Sequence, residues 1–189
     1  SLGLVGSEMC IRDRSKLQCE VKTILTKGGT EFVTPLSIAS LSKNKVYTDI
    51  YSVENESEMD HISLSRWADL ILIAPATSNI IAKMSQGISD DLATTVIQAS
   101  NKSIFVCPAM NVRMWEHTSN KKNLEKIKSY NYRIIGPFKG EMACGEYGDG
   151  RMADIECILK ELDNFFKSKN NNKKLRAIVT AGPTQEYID

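Results

Sequence analysis

Residues 69–76 read Asp-Leu-Ile-Leu-Ile-Ala-Pro-Ala, a nearly unbroken apolar run closed by Asp69 on one side and Pro75 on the other. A strand that is apolar at every position has no solvent face. It belongs at the centre of a parallel sheet covered on both sides, because a half-exposed strand would alternate with period two. The run is also far shorter than the roughly 20 apolar residues a bilayer requires, so it predicts a buried strand and not a membrane span. This segment restricts the chain to folds in which helices cover both faces of a sheet.

The surrounding sequence supplies those helices and further strands. Cys19–Leu25 reads as a strand and TKGGT as a turn. Pro35–Ser42 reads as a helix with Thr34 as N-cap, Pro35 as first residue, and Leu36, Ala39, Ile38 and Leu41 turned inward. Helical patterns follow at 78–86 and 90–100, then the apolar strand SIFVCPA, a helix over 119–130, a strand in YRIIGP and a helix over 155–167 with Ile158, Leu159, Leu162 and Phe166 on its apolar face. Alternating strands and helices predict an α/β doubly wound parallel sheet, flavodoxin- or Rossmann-like with three layers, whose ligands bind at the carboxyl ends of the strands.

Four segments are set apart by composition. Residues 1–15, SLGLVGSEMCIRDRS, carry no sustained periodicity and are read as foreign to the fold. Residues 16–166 form the main domain. The run KSKNNNKK at 167–174 reads as a linker, and residues 175–189 read as the opening strand of a second α/β domain that is cut short. Lys and Arg total 24 against 23 Asp and Glu, which leaves no electrostatic footprint for nucleic acid or an anionic membrane. The five cysteines contain no CxxC pair, so neither a structural metal site nor a disulfide framework is expected, and free thiols fit a reducing cytoplasm.

Four places can carry chemistry. APATSN at 74–79 ends the central strand and begins a helix. There Thr77, Ser78 and Asn79 offer side-chain donors beside the free amides of a helix start, although a proline turn with a threonine cap accounts for the same residues. PAMNVRMW at 108–115 places Asn111 after a buried strand, where it either binds a carboxylate or caps a turn, and Met110, Met114 and Trp115 suit a core or interface. MACGEYGDGRM at 142–152 puts Cys144 in a glycine-rich loop able to close over a ligand, unlike Cys107 and Cys157, which lie in apolar patterns. His61 precedes the central strand on a short helix, and histidine is the residue type suited to proton transfer near neutrality; His117, in a polar stretch, reads as structural or solvated.

In order and spacing, APATSN, PAMN, ACGEYGDGRM and the preceding histidine resemble the homo-oligomeric flavin-containing cysteine decarboxylases over roughly residues 16–189. Within that family they are most similar to the bacterial bifunctional enzymes that join phosphopantothenoylcysteine decarboxylation to phosphopantothenate-cysteine ligation. VTAGPTQEYID resembles the opening of the ligase portion. The resemblance implies FMN-dependent conversion of 4'-phosphopantothenoylcysteine to 4'-phosphopantetheine. The steps are oxidation of the cysteine thiol, loss of carbon dioxide, and protonation of the enethiolate as the electrons return.

By the same resemblance, His61 and Cys144 are catalytic, as base and proton donor. Asn111, Met142 and Ala143 bind substrate. Thr26, Thr77, Ser78, Asn79, Ile80 and Ala109 bind FMN, with Ile80 standing where the family carries a threonine. The family's opening strand and Gly/Ser-Ile-Ala loop have no counterpart, residues 1–15 standing in their place. CTP and Mg2+ are expected only for the ligase portion. Self-association as a trimer or larger assembly is implied too. Two other readings share the fold: a flavin-binding regulatory homologue without turnover, and a prenyl-flavin transferase, which lacks the PAMN and cysteine-clamp pair.

Overall fold

The computed structural model of the chain describes residues 19–49, 60–141, 145–169 and 175–182. The strands are β1 (Cys19–Leu25), β2 (Val46–Tyr47), β3 (Leu70–Ala76), β4 (Ser103–Pro108), β5 (Arg133–Ile134), β6 (Phe138–Glu141), β7 (Tyr147–Arg151) and β8 (Leu175–Ala181). The helices are α1 (Pro35–Ser42), α2 (Asp60–Trp67), α3 (Ser78–Gln86), α4 (Leu92–Ala99), α5 (Val112–Glu116), α6 (Thr118–Ser129) and α7 (Ile155–Ser168).

Six strands form one parallel sheet in the order β2-β1-β8-β3-β4-β5, while β6 and β7 pair antiparallel as a separate hairpin. All seven residues of β3 are buried, as the continuous apolar run requires. Side-chain alternation divides the core in two. Val21, Leu72, Phe105 and Val179 face Ile38 of α1 and Ile158, Leu162 and Phe165 of α7. Ile24, Ile71, Ile73, Val106 and Ile178 face Leu64 of α2, Ile81 of α3, Val96 of α4 and Leu124 of α6. The doubly wound architecture read from the sequence is therefore present, with helices on both faces.

Two expectations are corrected, and the segment beginning at residue 175, read as the opening strand of a second domain, lies beside the main domain as the third strand of the sheet. It pairs with β1 from Cys19↔Leu175 to Leu25↔Ala181 and with β3 from Leu70↔Ala177 to Ile73↔Thr180. Its apolar residues suit both covers at once: Ala177, Val179 and Ala181 enter one half of the core and Ile178 the other. Leu36, expected inward, is 76% exposed, because Ile38 and Ser42, one turn apart, form the buried face of α1. Part of the glycine-rich loop is ordered as β7 and not as irregular chain.

The caps follow the sequence. Thr34 Oγ1 accepts from Ser37 N at 3.1 Å, and Asp91 caps α4 with a reciprocal capping box to Thr94. His117 caps α6, with its Nδ1 2.7 Å from Ser119 Oγ, which is the structural role its polar setting indicated. Among the described residues, no helix is long and apolar enough to cross a membrane.

Candidate functional site at the carboxyl edge of the sheet

The connections place the switch point of the sheet at β8. The β1–β2 crossover puts α1 on one face, and the crossovers through β3, β4 and β5 put α3, α4 and α6 on the other. In such sheets the crevice for a ligand opens above the carboxyl ends of the strands, where the winding reverses. The loops expected to carry chemistry converge there.

Backbone hydrogen bonds join these loops in series. Ala109 N donates to Ala76 O at 3.0 Å, linking the turn after β4 to the end of β3. Met110 N donates to Gly150 O at 3.0 Å, linking that turn to the hairpin. Gly148 packs against α5 so closely that a Cβ there would lie 2.9 Å from Val112 Cγ2, which is why the position carries no side chain. On the other flank Thr26 N donates to Ala181 O at 3.0 Å. Motifs separated by tens of residues thus share one edge.

The individual side chains divide by what their hydrogen-bonding groups already do. Thr77 is the N-cap of α3, its Oγ1 accepting from Ile80 N at 3.4 Å, which leaves the hydroxyl proton available to a ligand. Ser78 and Asn79 occupy the first turn of that helix, Ser78 half-buried and Asn79 exposed. Their amides precede the capped one, so the helix start presents donors to the crevice. Ile80 is partly buried and packs against the core, so it contributes an apolar contact where a hydroxyl was the family pattern.

Asn111 resolves an alternative the sequence left open. It caps α5, with Oδ1 accepting from Met114 N at 2.8 Å. The cap uses the carbonyl oxygen alone. The exposed amide nitrogen keeps two protons, so capping and carboxylate binding are compatible in one side chain. Met110 and Trp115 pack against the core, and Asn120 Nδ2 donates to Met110 Sδ at 3.3 Å and Trp115 O at 3.5 Å; Met114 is 44% exposed.

Thr26 directly follows β1 and faces the last residue of β8. Its Oγ1 donates to Ala181 O at 3.1 Å and accepts from Gly29 N at 3.2 Å. A hydroxyl has one proton, and this one holds β8. His61 lies half-buried in the first turn of α2, the end of that helix directed toward the carboxyl edge because α2 runs antiparallel to β3. No hydrogen bond joins it to the other candidates among the described residues. Met142, Ala143 and Cys144 lie outside the described residues.

A further group escaped sequence reading. Thr180 is 1% exposed near the end of β8, and its Oγ1, like Thr23 Oγ1 and Asn120 Oδ1 elsewhere in the fold, has no hydrogen-bond partner among the described residues. Buried hydroxyls are nearly always paired. Together with neutral donors at Thr77–Asn79 and small residues at Ala76, Ala109 and Ala181, this edge fits a flat ring with polar margins better than a multivalent cation. Among the described residues, no cluster of three or more His, Cys, Asp or Glu could hold a metal ion.

Comparison with known proteins places this geometry. The sequence profile described as Flavoprotein matches residues 3–167, so the match begins inside the segment set aside as foreign. The coenzyme A biosynthesis bifunctional protein CoaBC of Haemophilus influenzae is 40% identical over 179 residues, which cover 95% of this chain and 45% of that protein. CoaBC of Bacillus subtilis is 40% identical over 171 residues, covering 89% of this chain and 42% of that protein. The chain therefore spans less than half the length of these curated relatives.

Among solved structures, a substituted PPC decarboxylase complexed with pantothenoylaminoethenethiol superposes with a TM-score of 0.69 at 30% identity, covering 86% of this chain and 94% of that one. The FMN-binding protein AtHal3 superposes with a TM-score of 0.68 at 31% identity, covering 88% and 95%. On the extent of the profile match and the shared doubly wound sheet, the chain belongs to the Flavoprotein family.

Proposed function

We propose that this chain is the decarboxylating portion of a CoaBC-type bifunctional protein, converting 4'-phosphopantothenoylcysteine to 4'-phosphopantetheine with FMN. The observation that carries the reading is the physical joining of the three motif loops at the switch point: Ala76 with Ala109, and Met110 with Gly150. A set of local motifs that merely resembled the family would have no reason to meet on one edge.

In this reading Thr77, Ser78 and Asn79 hold the flavin through hydroxyl, amide and helix-start donors, with Ile80 and Ala109 as apolar walls. Bound FMN would supply a two-electron sink: oxidation of the substrate thiol to a thioaldehyde lets the adjacent carboxylate leave as carbon dioxide, and the same two electrons would return to give the product thiol. Asn111 directs its amide protons at that carboxylate, held in orientation by the cap to Met114 N. His61 removes the thiol proton. Cys144 delivers a proton after carbon dioxide has left, and Met142 and Ala143 flank the substrate in the same loop. Self-association as a trimer or larger assembly, a cytoplasmic location, and CTP with Mg2+ at a ligase portion belong to the same proposal. In this reading residues 1–15 are foreign to the decarboxylase portion and residues 175–189 open the ligase portion.

The test is release of carbon dioxide from 4'-phosphopantothenoylcysteine by the purified chain with FMN added. Turnover is expected. Asn111→Ala should lower kcat/KM roughly 10- to 100-fold, the value of a hydrogen bond to a charged group, about 1.5–3 kcal/mol. Cys144→Ser should halt the reaction after carbon dioxide is lost. Flavin binding with no turnover would instead favour a non-catalytic flavin-binding homologue.

A further inference from the structure

The short helix that follows Asn111 cannot hold its own direction. α5 spans Val112–Glu116, and beyond the Asn111 cap its turn is closed by Trp115 N donating to Asn111 O at 2.9 Å and His117 N donating to Met114 O at 3.3 Å. So few bonds do not offset the entropy of ordering a turn, so α5 takes its orientation from what it packs on. Gly150 O fixes the backbone at Met110, just before Asn111. The remaining ties come from α6.

The buried residues of α6 are Asn120, Leu124 and Ile127, at the i, i+4, i+7 spacing of a core-facing stripe. Leucine and isoleucine are what such a stripe calls for. Asn120 is the polar member, and it is 1% exposed. Its amide nitrogen donates to Met110 Sδ at 3.3 Å and to Trp115 O at 3.5 Å. Both partners are acceptors, a thioether and a backbone carbonyl, which fixes the nitrogen on that side. Its Oδ1 is buried with no hydrogen-bond partner among the described residues. An apolar side chain would occupy the position without the cost of burying that oxygen, so the contribution of the amide lies in the two bonds and not in stability.

Those two bonds fall on either side of Asn111. Met110 directly precedes it, and Trp115 O is one of the last carbonyls of α5, which no later turn of that helix can take. Lys121, the next residue of α6, has its Nζ 4.3 Å from the centroid of the Trp115 ring. One buried side chain therefore spans the turn from entrance to exit, while Asn111 keeps its Oδ1 on Met114 N and its amide protons for a ligand.

We propose that Asn120 is a positioning residue for Asn111, holding α5 so that the Asn111 amide meets the substrate carboxylate. This rests on the decarboxylase reading above. Asn120 itself touches neither substrate nor flavin; it sets where the Asn111 amide points. Loss of its two bonds would leave the donors at Thr77–Asn79 in place and reduce the time Asn111 spends in the productive orientation.

The experiment uses the full chain with saturating FMN and compares the parent, Asn120→Leu, Asn111→Ala and the double variant. Asn120→Leu removes the amide and the unpaired oxygen together, so its urea midpoint should stay close to that of the parent. Hydrogen exchange at the Met114 amide, measured without substrate, should nevertheless speed up several-fold, and kcat/KM for 4'-phosphopantothenoylcysteine should fall about three- to tenfold. FMN affinity by fluorescence titration should remain within twofold. In the Asn111→Ala background the same substitution should change kcat/KM by less than twofold, because the group being positioned is gone. If leucine prevents folding, Asn120→Val removes the same amide with less bulk and should give the same pattern.

Equal losses of kcat/KM in the two backgrounds, or Met114 exchange and kcat/KM both unchanged in Asn120→Leu, would overturn the proposal and leave the decarboxylase reading standing. A folded, FMN-loaded parent without turnover would overturn that reading, and Met114 exchange, which needs no substrate, would still decide whether Asn120 holds the turn.

Discussion

The two edges of the sheet are built from different materials. At the amino edge, charged and aromatic side chains hold the strands: Arg176 Nε lies 3.5 Å from Asp69 Oδ2, Lys22 Nζ lies 4.6 Å from the Trp67 ring centroid, and Arg176 approaches the same ring. At the carboxyl edge, backbone amides and carbonyls do most of the joining, with the Thr26 hydroxyl as the side chain that takes part, and alanine, glycine, threonine and asparagine line much of the edge. An edge that holds itself together by side chains has few left for a ligand. One that is closed mostly by backbone leaves the Thr77 hydroxyl proton and the Asn111 amide protons for binding, so stability is concentrated at one end and recognition at the other.

The strongest way to break this contrast is through the strand that spans both edges. Ile178 of β8 and Ile73 of β3 are each 0% exposed in the same half of the core. Truncation of either to Ala should cost about 2–5 kcal/mol of stability by urea denaturation, and the two losses should be similar. A loss near zero for Ile178→Ala alone would remove β8 from the sheet. Gly29→Val comes next. Its side chain would run into Ala181 O and Leu25 Cδ1, and overpacking of this kind costs about 1–3 kcal/mol. Because the clash is at the carboxyl edge, FMN affinity should fall with it.

Asp69→Ala should have a smaller effect, about 1 kcal/mol, since the pair is partly exposed and one backbone N–H loses its acceptor. FMN affinity per folded molecule should not change, because the break lies at the other edge. A drop in affinity equal to that of Gly29→Val would erase the distinction between the edges.

A pH series sharpens the contrast from the turn between α3 and α4. Burial pushes the Asp91 carboxyl up, but the Thr94 amide, the Lys83 ammonium and the Thr94 hydroxyl together outweigh it and hold the group below the ordinary carboxylate range. A depressed folded value means the stabilisation is present above the unfolded pKa, near about 3.9, and is lost as pH falls through the folded one. Asp91→Asn keeps the capping oxygen and removes the charge. The stability gap between parent and variant should be full at neutral pH and close in strong acid, with flavin binding unaffected.

The same division by edge explains what was legible in the sequence. The carboxyl-edge motifs are local: Thr77 caps the helix that follows it, Asn111 caps the next, and β3 announces its burial by having no polar position before Pro75. Cap and strand type are decided within a few residues, and these readings held. The amino edge joins Asp69 to Arg176, 107 positions apart, and no local pattern reveals that. For β8 the sequence states the type of element, an apolar strand after a polar linker, while its pairing with β1 and β3 joins positions more than 100 residues apart and has no local signal. Thr26 was legible as a residue near the site, whereas the bond from its hydroxyl to Ala181 O, 155 positions away, has no local signal. Leu36 fits an inward helical position by spacing alone, and only the packing of Ile38 and Ser42 decides that α1 turns it out.

The central claim, that the carboxyl edge is a flavin site, is tested most directly by the visible absorption spectrum of the purified full chain after addition of FMN and removal of unbound ligand. The account predicts bands near roughly 370 and 450 nm, typical of oxidised flavin, that remain with the protein. A chain that is folded by hydrogen exchange yet emerges colourless would contradict it.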